Sequence, residues 1–214
     1  FFSQMPKGGD LPNHFSGSIY AEPLLQHAIA DDFYLNIETM DVLKEKPSTG
    51  IWKQFSTLKN NGTLDFYKQK IMQKWSVKDY NYVDYPSDKL FFESFMKFEP
   101  AIQGNFGQGL LELKKRAISE NVSYIETQLS TIPTDMNTDD LAKFNIRLRK
   151  LAFEKDEKAV LQSLDSVYNS LLKKQAKTYA KEFNTNFVAK LHKDFKIDDA
   201  QFTMRYQNFV LRFM

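Results

Sequence analysis

The chain contains no cysteine, which excludes disulfides, cysteine-ligated zinc and thiol nucleophiles from its chemistry. It has no excess of charge of either sign. Its 29 basic and 27 acidic residues leave a net charge of +2, a balance that gives no support to a nucleic-acid or membrane-surface partner. It also lacks any run of about 18 apolar residues, the length a membrane-spanning helix needs. Histidine is scarce, with three in the chain, and neither His27 nor His192 stands at metal-ligand spacing to another. No internal repeat or low-complexity linker is present. No signal peptide is visible, so the compartment, whether secreted, periplasmic or cytoplasmic, stays open. The opening Phe1-Phe2-Ser3 lacks an initiator methionine, as expected if an upstream segment has been removed as a signal peptide or by trimming. The acceptor-like triplets at Asn61 and Asn121 are common by chance and carry little weight.

What is present is an ordinary globular composition rich in aromatics. The 214 residues are 42% apolar and 26% charged, with 19 Phe and 10 Tyr. That length suffices for a real core, as one domain or as part of a larger one. Residues 8–15 read as a strand entered through a Gly-Gly turn. Ser18 precedes a helical pattern from Ile19 to Ala30 and reads as its N-cap. Residues 33–46 read weakly as a hairpin, and Asn60-Asn61-Gly62 as a turn. Helical patterns follow at about 64–75 and 87–98. Gly104, Gly107 and Gly109 read as a loop ahead of a helix from Leu110 to Glu120. They lack the Lys-Ser/Thr ending of a phosphate-binding loop. Residues 122–129 alternate and are β-branched, a second strand. About 138–193 is one bent helix or two helices, with Lys and Glu opposite an apolar stripe whose spacing drifts from a heptad. The end, 203–213, reads as a third strand.

Strands separated by helices suit a parallel α/β sheet. Three strands in 214 residues are too few to close an eight-stranded barrel. The expected architecture is a single partial domain, 1–214, with helical insertions at about 50–105 and 138–193.

Met5-Pro6-Lys7-Gly8-Gly9-Asp10-Leu11, followed by Asn13-His14-Phe15-Ser16-Gly17-Ser18, resembles the opening of the adenosine deaminase family. The likeness is closest to the deaminase-related growth factors and their bacterial relatives. Trp75-Ser76-Val77-Lys78-Asp79, Phe91-Phe92-Glu93-Ser94-Phe95 and Tyr124-Ile125-Glu126 resemble further elements of that branch in the same order. Phe209 to Phe213 falls where a third strand is expected. The stretch 138–193 carries no such match. The resemblance implies the N-terminal portion of a zinc-dependent (β/α)8 TIM-type barrel that hydrolytically deaminates a purine nucleoside at C6. It also implies that the later catalytic residues lie beyond this chain, so no catalytic residue is assigned within it.

By resemblance, His14 matches the second histidine of a His-x-His metal pair. Pro12 stands where the first is expected and cannot bind metal. His14 is therefore either a zinc ligand or an orphaned ligand position packed at a strand end. Pro12 admits three accounts: a degenerate site, weaker metal binding with water in the vacated position, or an introduced change; degeneracy is preferred. Ser16 and Gly17 match residues beneath the nucleoside sugar, where a hydroxyl can bond a ribose oxygen. Glu126 reads as structural. His192, among charges, reads as solvated, and His27 as surface or partly buried. Trp75 and the Phe91–Phe98 cluster line an apolar cleft or, more commonly for such a stripe, belong to the core.

Two functions follow. The first is a deaminase-like metal-dependent hydrolase of which this chain is the N-terminal part, inactive alone, with a complementary C-terminal fragment as partner. The alternative is a catalytically degenerate module that binds a nucleoside or another protein. A homodimer is implied by the resemblance alone.

Overall fold

The computed structural model describes residues 1–78, 80, 85–131, 138–173 and 176–209. In chain order its elements are β1 (Gly8–His14), α1 (Phe15–Ser18), α2 (Ala21–Ala30), β2 (Tyr34–Asn36), β3 (Val42–Leu43), β4 (Trp52–Gln54), α3 (Phe55–Asn60) and α4 (Leu64–Trp75). There follow α5 (Ser87–Gln103), α6 (Phe106–Ser119), β5 (Val122–Thr131), α7 (Thr138–Phe153), α8 (Glu157–Lys173) and α9 (Ala176–Glu182). A π-helix (Phe183–Val188), α10 (Ala189–Asp194) and β6 (Thr203–Phe209) complete the series. The chain divides into two compact units, one built from residues 1–129 and 191–207, the other from 130–190 and the end of the chain. Among the described residues no helix is long and apolar enough to cross a membrane.

Among the described residues the main sheet of the first unit is three-stranded and parallel, in the order β1-β5-β6. β5 alternates: Ile125, Thr127 and Leu129 are buried, while Tyr124, Glu126 and Gln128 are half-buried on the other face. β1 is an edge strand, exposed along its length except at Asn13. Proline cannot donate to a ladder, so edges and bulges are where it is tolerated. Pro12 has both: its strand lies at the edge, and the pairing with β5 slips between Asp10 and Asn13. A mixed α/β fold with a partial parallel sheet is what the alternating order of strands and helices led to. Residues 210–213 of the expected third strand lie outside the described residues.

The core lies between this sheet and the helices. α5 packs against α2, α4 and α6, with Leu90, Phe98, Ala101 and Ile102 buried. Trp75 is buried edge-to-face on Phe98, and its indole N–H donates to the Met40 carbonyl at 2.9 Å. The Trp75 end of the aromatic cluster is therefore core, whereas Phe91, Phe92 and Met96 are exposed.

Several local expectations are corrected. The helix expected from Ile19 begins at Ala21, with Tyr20 as its N-cap and no side-chain capping bond. A start at Ile19 would put Pro23 in the helix interior, where its missing N–H breaks a bond. A start at Ala21 puts it in the first turn, where that N–H has no partner anyway. Ser18 instead closes α1, its hydroxyl donating to Asn13 Oδ1 at 2.6 Å. The hairpin at 33–46 is present as β2 and β3, and gains a third antiparallel strand, β4, from the stretch read as helical from residue 50. Three residues are too few for a period to register. Gly107 and Gly109 are helical, in the first turn of α6, rather than loop. They are packing glycines: a Cβ on Gly109 would lie 2.6 Å from Phe15 Cζ, and one on Gly107 would overlap the Phe195 ring.

In the second unit α7 and α8 form a helical hairpin. Lys155 takes a positive φ of 57° between them, and Asp156 caps α8 by accepting from the Ala159 N–H at 3.0 Å.

Candidate functional site

Catalytic groups in parallel α/β sheets gather at the C-terminal ends of the strands. Here β1 ends on His14, paired in register with Gln128 of β5. The chain then turns directly through α1, which carries Ser16 and Gly17. His14 and Gly17 are exposed and Ser16 is half-buried. The three sequence-predicted site residues thus sit within one turn at the open end of the sheet.

The turn is held from below and from the side. Phe15 is 1% exposed and stacks on Phe106, with ring centroids 5.6 Å apart. The Ser18 hydroxyl lies 2.8 Å from the His14 carbonyl as well as bonding Asn13. Thr127, fully buried on β5, reaches the Asn13 carbonyl at 3.3 Å. From α6, Arg116 donates through Nη2 to the Ser18 carbonyl at 2.5 Å, and its guanidinium lies 4.4 Å from the centre of the Tyr20 ring. Among the described residues, Nη1 of Arg116 is buried without a hydrogen-bond partner. A cavity of about 80 Å³ lined by Asp10, Asn13, Arg116 and Glu120 adjoins it. That volume holds a few waters and is too small for a nucleoside. Arg116 was invisible to sequence reading, because nothing in its own helix marks it as reaching back to the chain after β1.

Beside the turn stands α5. A Cβ on Gly17 would meet Phe95 Cε1 at 3.5 Å, ordinary contact, so the protein's own packing does not require glycine there. Phe95 leads through Phe91, with centroids 5.0 Å apart, to the exposed Phe92.

On the half-buried face of β5, Glu126 accepts from the Tyr124 hydroxyl at 2.7 Å and from Gln207 Nε2 of β6 at 2.5 Å. The two bonds, Tyr124 first, hold the Glu126 carboxyl below the usual range, and the same contact pushes the Tyr124 phenol up. The residue fastens β5 to β6. His192 is not solvated: its side chain is 24% exposed, with Nδ1 3.0 Å from the Tyr206 hydroxyl and Nε2 3.5 Å from Asp198. Burial, then the Asp198 charge, pushes Tyr206 up. Burial also works to raise Asp198, but the Met204 N–H and Arg205 outweigh it and the net shift is downward. The spacing of these residues, 192, 198 and 206, spans a helix end, a loop and a strand, so no local pattern reveals the cluster.

Glu126 and Asp198 titrate lower in the fold than in the unfolded chain. Their stabilisation is complete above the unfolded carboxylate range, about pH 4–5, and is lost as pH falls through their folded values. The urea midpoint, followed by the fluorescence of Trp52 and Trp75, both in the first unit, is expected to drop between pH 6 and pH 3. Asp198→Asn flattens that dependence; a midpoint constant to pH 3 would overturn the assignment.

A zinc site needs three or four donors. Among the described residues, no group of three or more His, Asp or Glu stands close enough to share a metal. His14 is one donor and Pro12 offers none, so the described residues do not assemble a zinc site by themselves. Compared with protein-family models, with curated proteins and with solved structures, the chain matches none.

Proposed function

We propose that this chain is the N-terminal part of an adenosine-deaminase-like (β/α)8 barrel acting on a purine nucleoside, and that it is inactive alone. The observation that carries the reading is the clamped turn Ser16–Gly17, set at the C-terminal end of an edge strand immediately after His14. In this reading the Ser16 hydroxyl bonds a sugar hydroxyl, and the absence of a side chain at Gly17 permits close approach. The Phe95–Phe91–Phe92 series beside Gly17 offers an apolar wall against which a flat base can pack. The open edge of β1 is where a complementary segment would pair. Zinc belongs to this reading only through donors from that other segment, joined to His14.

A second reading, a degenerate module that binds nucleoside without turning it over, is favoured by Pro12. Conversion of adenosine to inosine, followed by ultraviolet absorbance with added zinc and with a chelator, separates the two. The first reading expects no turnover by the chain alone and chelator-sensitive turnover when the complementary segment is supplied. The second expects adenosine binding in the calorimeter and no turnover in either case. Gly17→Ala, which the fold accommodates, is expected to weaken adenosine binding at least severalfold with an unchanged urea midpoint. Failure of the unmodified chain to bind adenosine, with or without zinc and the complementary segment, would sink both readings.

A further inference from the structure

With no cysteine in the chain, a two-electron oxidant meets no thiol, and the sulfur open to it is that of the methionine thioethers. The fold ranks those it describes by exposure. Met204 and Met40 lie in the core at 0% and 3%, Met72 is half-buried, Met5 is 42% exposed and Met96 is 73% exposed. Met96 stands in the middle of α5, on the side away from the buried Leu90, Phe98 and Ala101. The exposed Phe92 precedes it by four residues, on the same side of the helix, and Phe91 meets the Phe92 ring edge-on. We propose that Met96 is a reversible oxidation site, at which a peroxide converts the thioether to the sulfoxide and turns part of this exposed apolar surface polar.

Position selects the residue. A peroxide reaches Met96 from solvent without any opening of the fold, and the sulfoxide oxygen that forms is hydrated where it stands. Oxidation of Met40 or Met204 instead places a polar S–O group in the core, which is costly unless a hydrogen bond compensates. In the step itself a sulfur lone pair takes one oxygen of hydrogen peroxide. The O–O bond breaks, an S–O bond forms, and the proton of the transferred oxygen leaves with the departing hydroxide as water. Sulfur loses two electrons and the peroxide gains them. A flexible apolar side chain becomes a polar, chiral one, and a sulfoxide reductase for each epimer returns it to the thioether. Helix α5 survives the change, because Met96 is no part of its packed face.

The test treats the folded chain with dilute hydrogen peroxide and maps the products by peptide mass spectrometry. Sulfoxide is expected at Met96 at least about tenfold faster than at Met40 or Met204. In urea the rates at these three residues converge, which assigns the ranking to the fold. Binding of a hydrophobic fluorescent dye is expected to fall as Met96 is oxidised, and to recover when the two reductases are added with a thiol reductant. Met96→Leu abolishes that response, whereas Met5→Leu, at the next most exposed methionine, preserves it. The urea midpoint of the chain oxidised at Met96 stays at its unmodified value. Three results would each overturn the proposal: Met96 reacting no faster than the buried methionines, dye binding indifferent to oxidation or still responsive in Met96→Leu, and a Met96 sulfoxide that the reductases restore in the unfolded chain but not in the folded one.

Discussion

Replacing Phe15 by alanine is expected to remove about 3–5 kcal/mol from the first unit, the range for truncating a fully buried aromatic. The ring is 1% exposed, stacked on Phe106 and seated against Gly109. Its removal leaves a cavity that these neighbours cannot collapse into, because both belong to the first turn of α6, whose helix backbone fixes their spacing. The loss is read from the urea midpoint by tryptophan fluorescence, with Trp52 and Trp75 as probes of this unit. Phe15→Leu, which keeps most of the volume, should lose less than half as much. The ring also supports the turn bearing Ser16 and Gly17, so amide exchange at those two residues should accelerate along with the global loss. A Phe15→Ala cost under about 1 kcal/mol would show that the stack with Phe106 is not the support described.

The second large effect has the opposite sign from what helix propensity gives. Glycine is worse than alanine in a helix, by about 1 kcal/mol in the interior and less in the first turn, so Gly107→Ala, read from the sequence of α6 alone, is stabilising. In the fold the added methyl overlaps the Phe195 ring, and overpacking of this kind typically costs about 1–3 kcal/mol. A net loss of stability is expected. The two residues are in contact, so their effects should not add: in a Phe195→Leu background, Gly107→Ala should cost at least about 1 kcal/mol less than in the unmodified chain. Additive effects would mean that Phe195 turns aside without cost.

These residues also mark where sequence reading reached its limit. Strand β5 was legible because a half-buried strand leaves a two-residue period, β1 because a Gly-Gly turn leads into it, and α4 because its apolar positions recur at helical spacing. Gly107 and Gly109 looked like a loop because glycine usually marks one, whereas here each makes room for an aromatic ring that arrives from a distant part of the chain. The short β4 carried too few residues to show a period, and Pro23 shifted the start of α2 by a rule that outranked the serine ahead of it. At the candidate site, the resemblance singles out His14, Ser16 and Gly17, which lie within four residues of one another along the chain. Arg116, Thr127 and Gln207, which brace the surrounding strands and turn, come from α6, β5 and β6, and only the tertiary fold brings them near.

Pro12, in the outermost strand of the sheet, has a consequence for solubility. An exposed strand edge is a template for pairing with any other chain, and β1 presents one. A ring with no N–H, together with the charged Asp10 in the same strand, interrupts that template. A histidine at position 12 would therefore do two things at once: add a candidate metal donor two residues from His14, and supply a backbone N–H where the proline ring has none. The same substitution that adds a metal donor moves the isolated chain toward aggregation, unless a complementary strand occupies that edge.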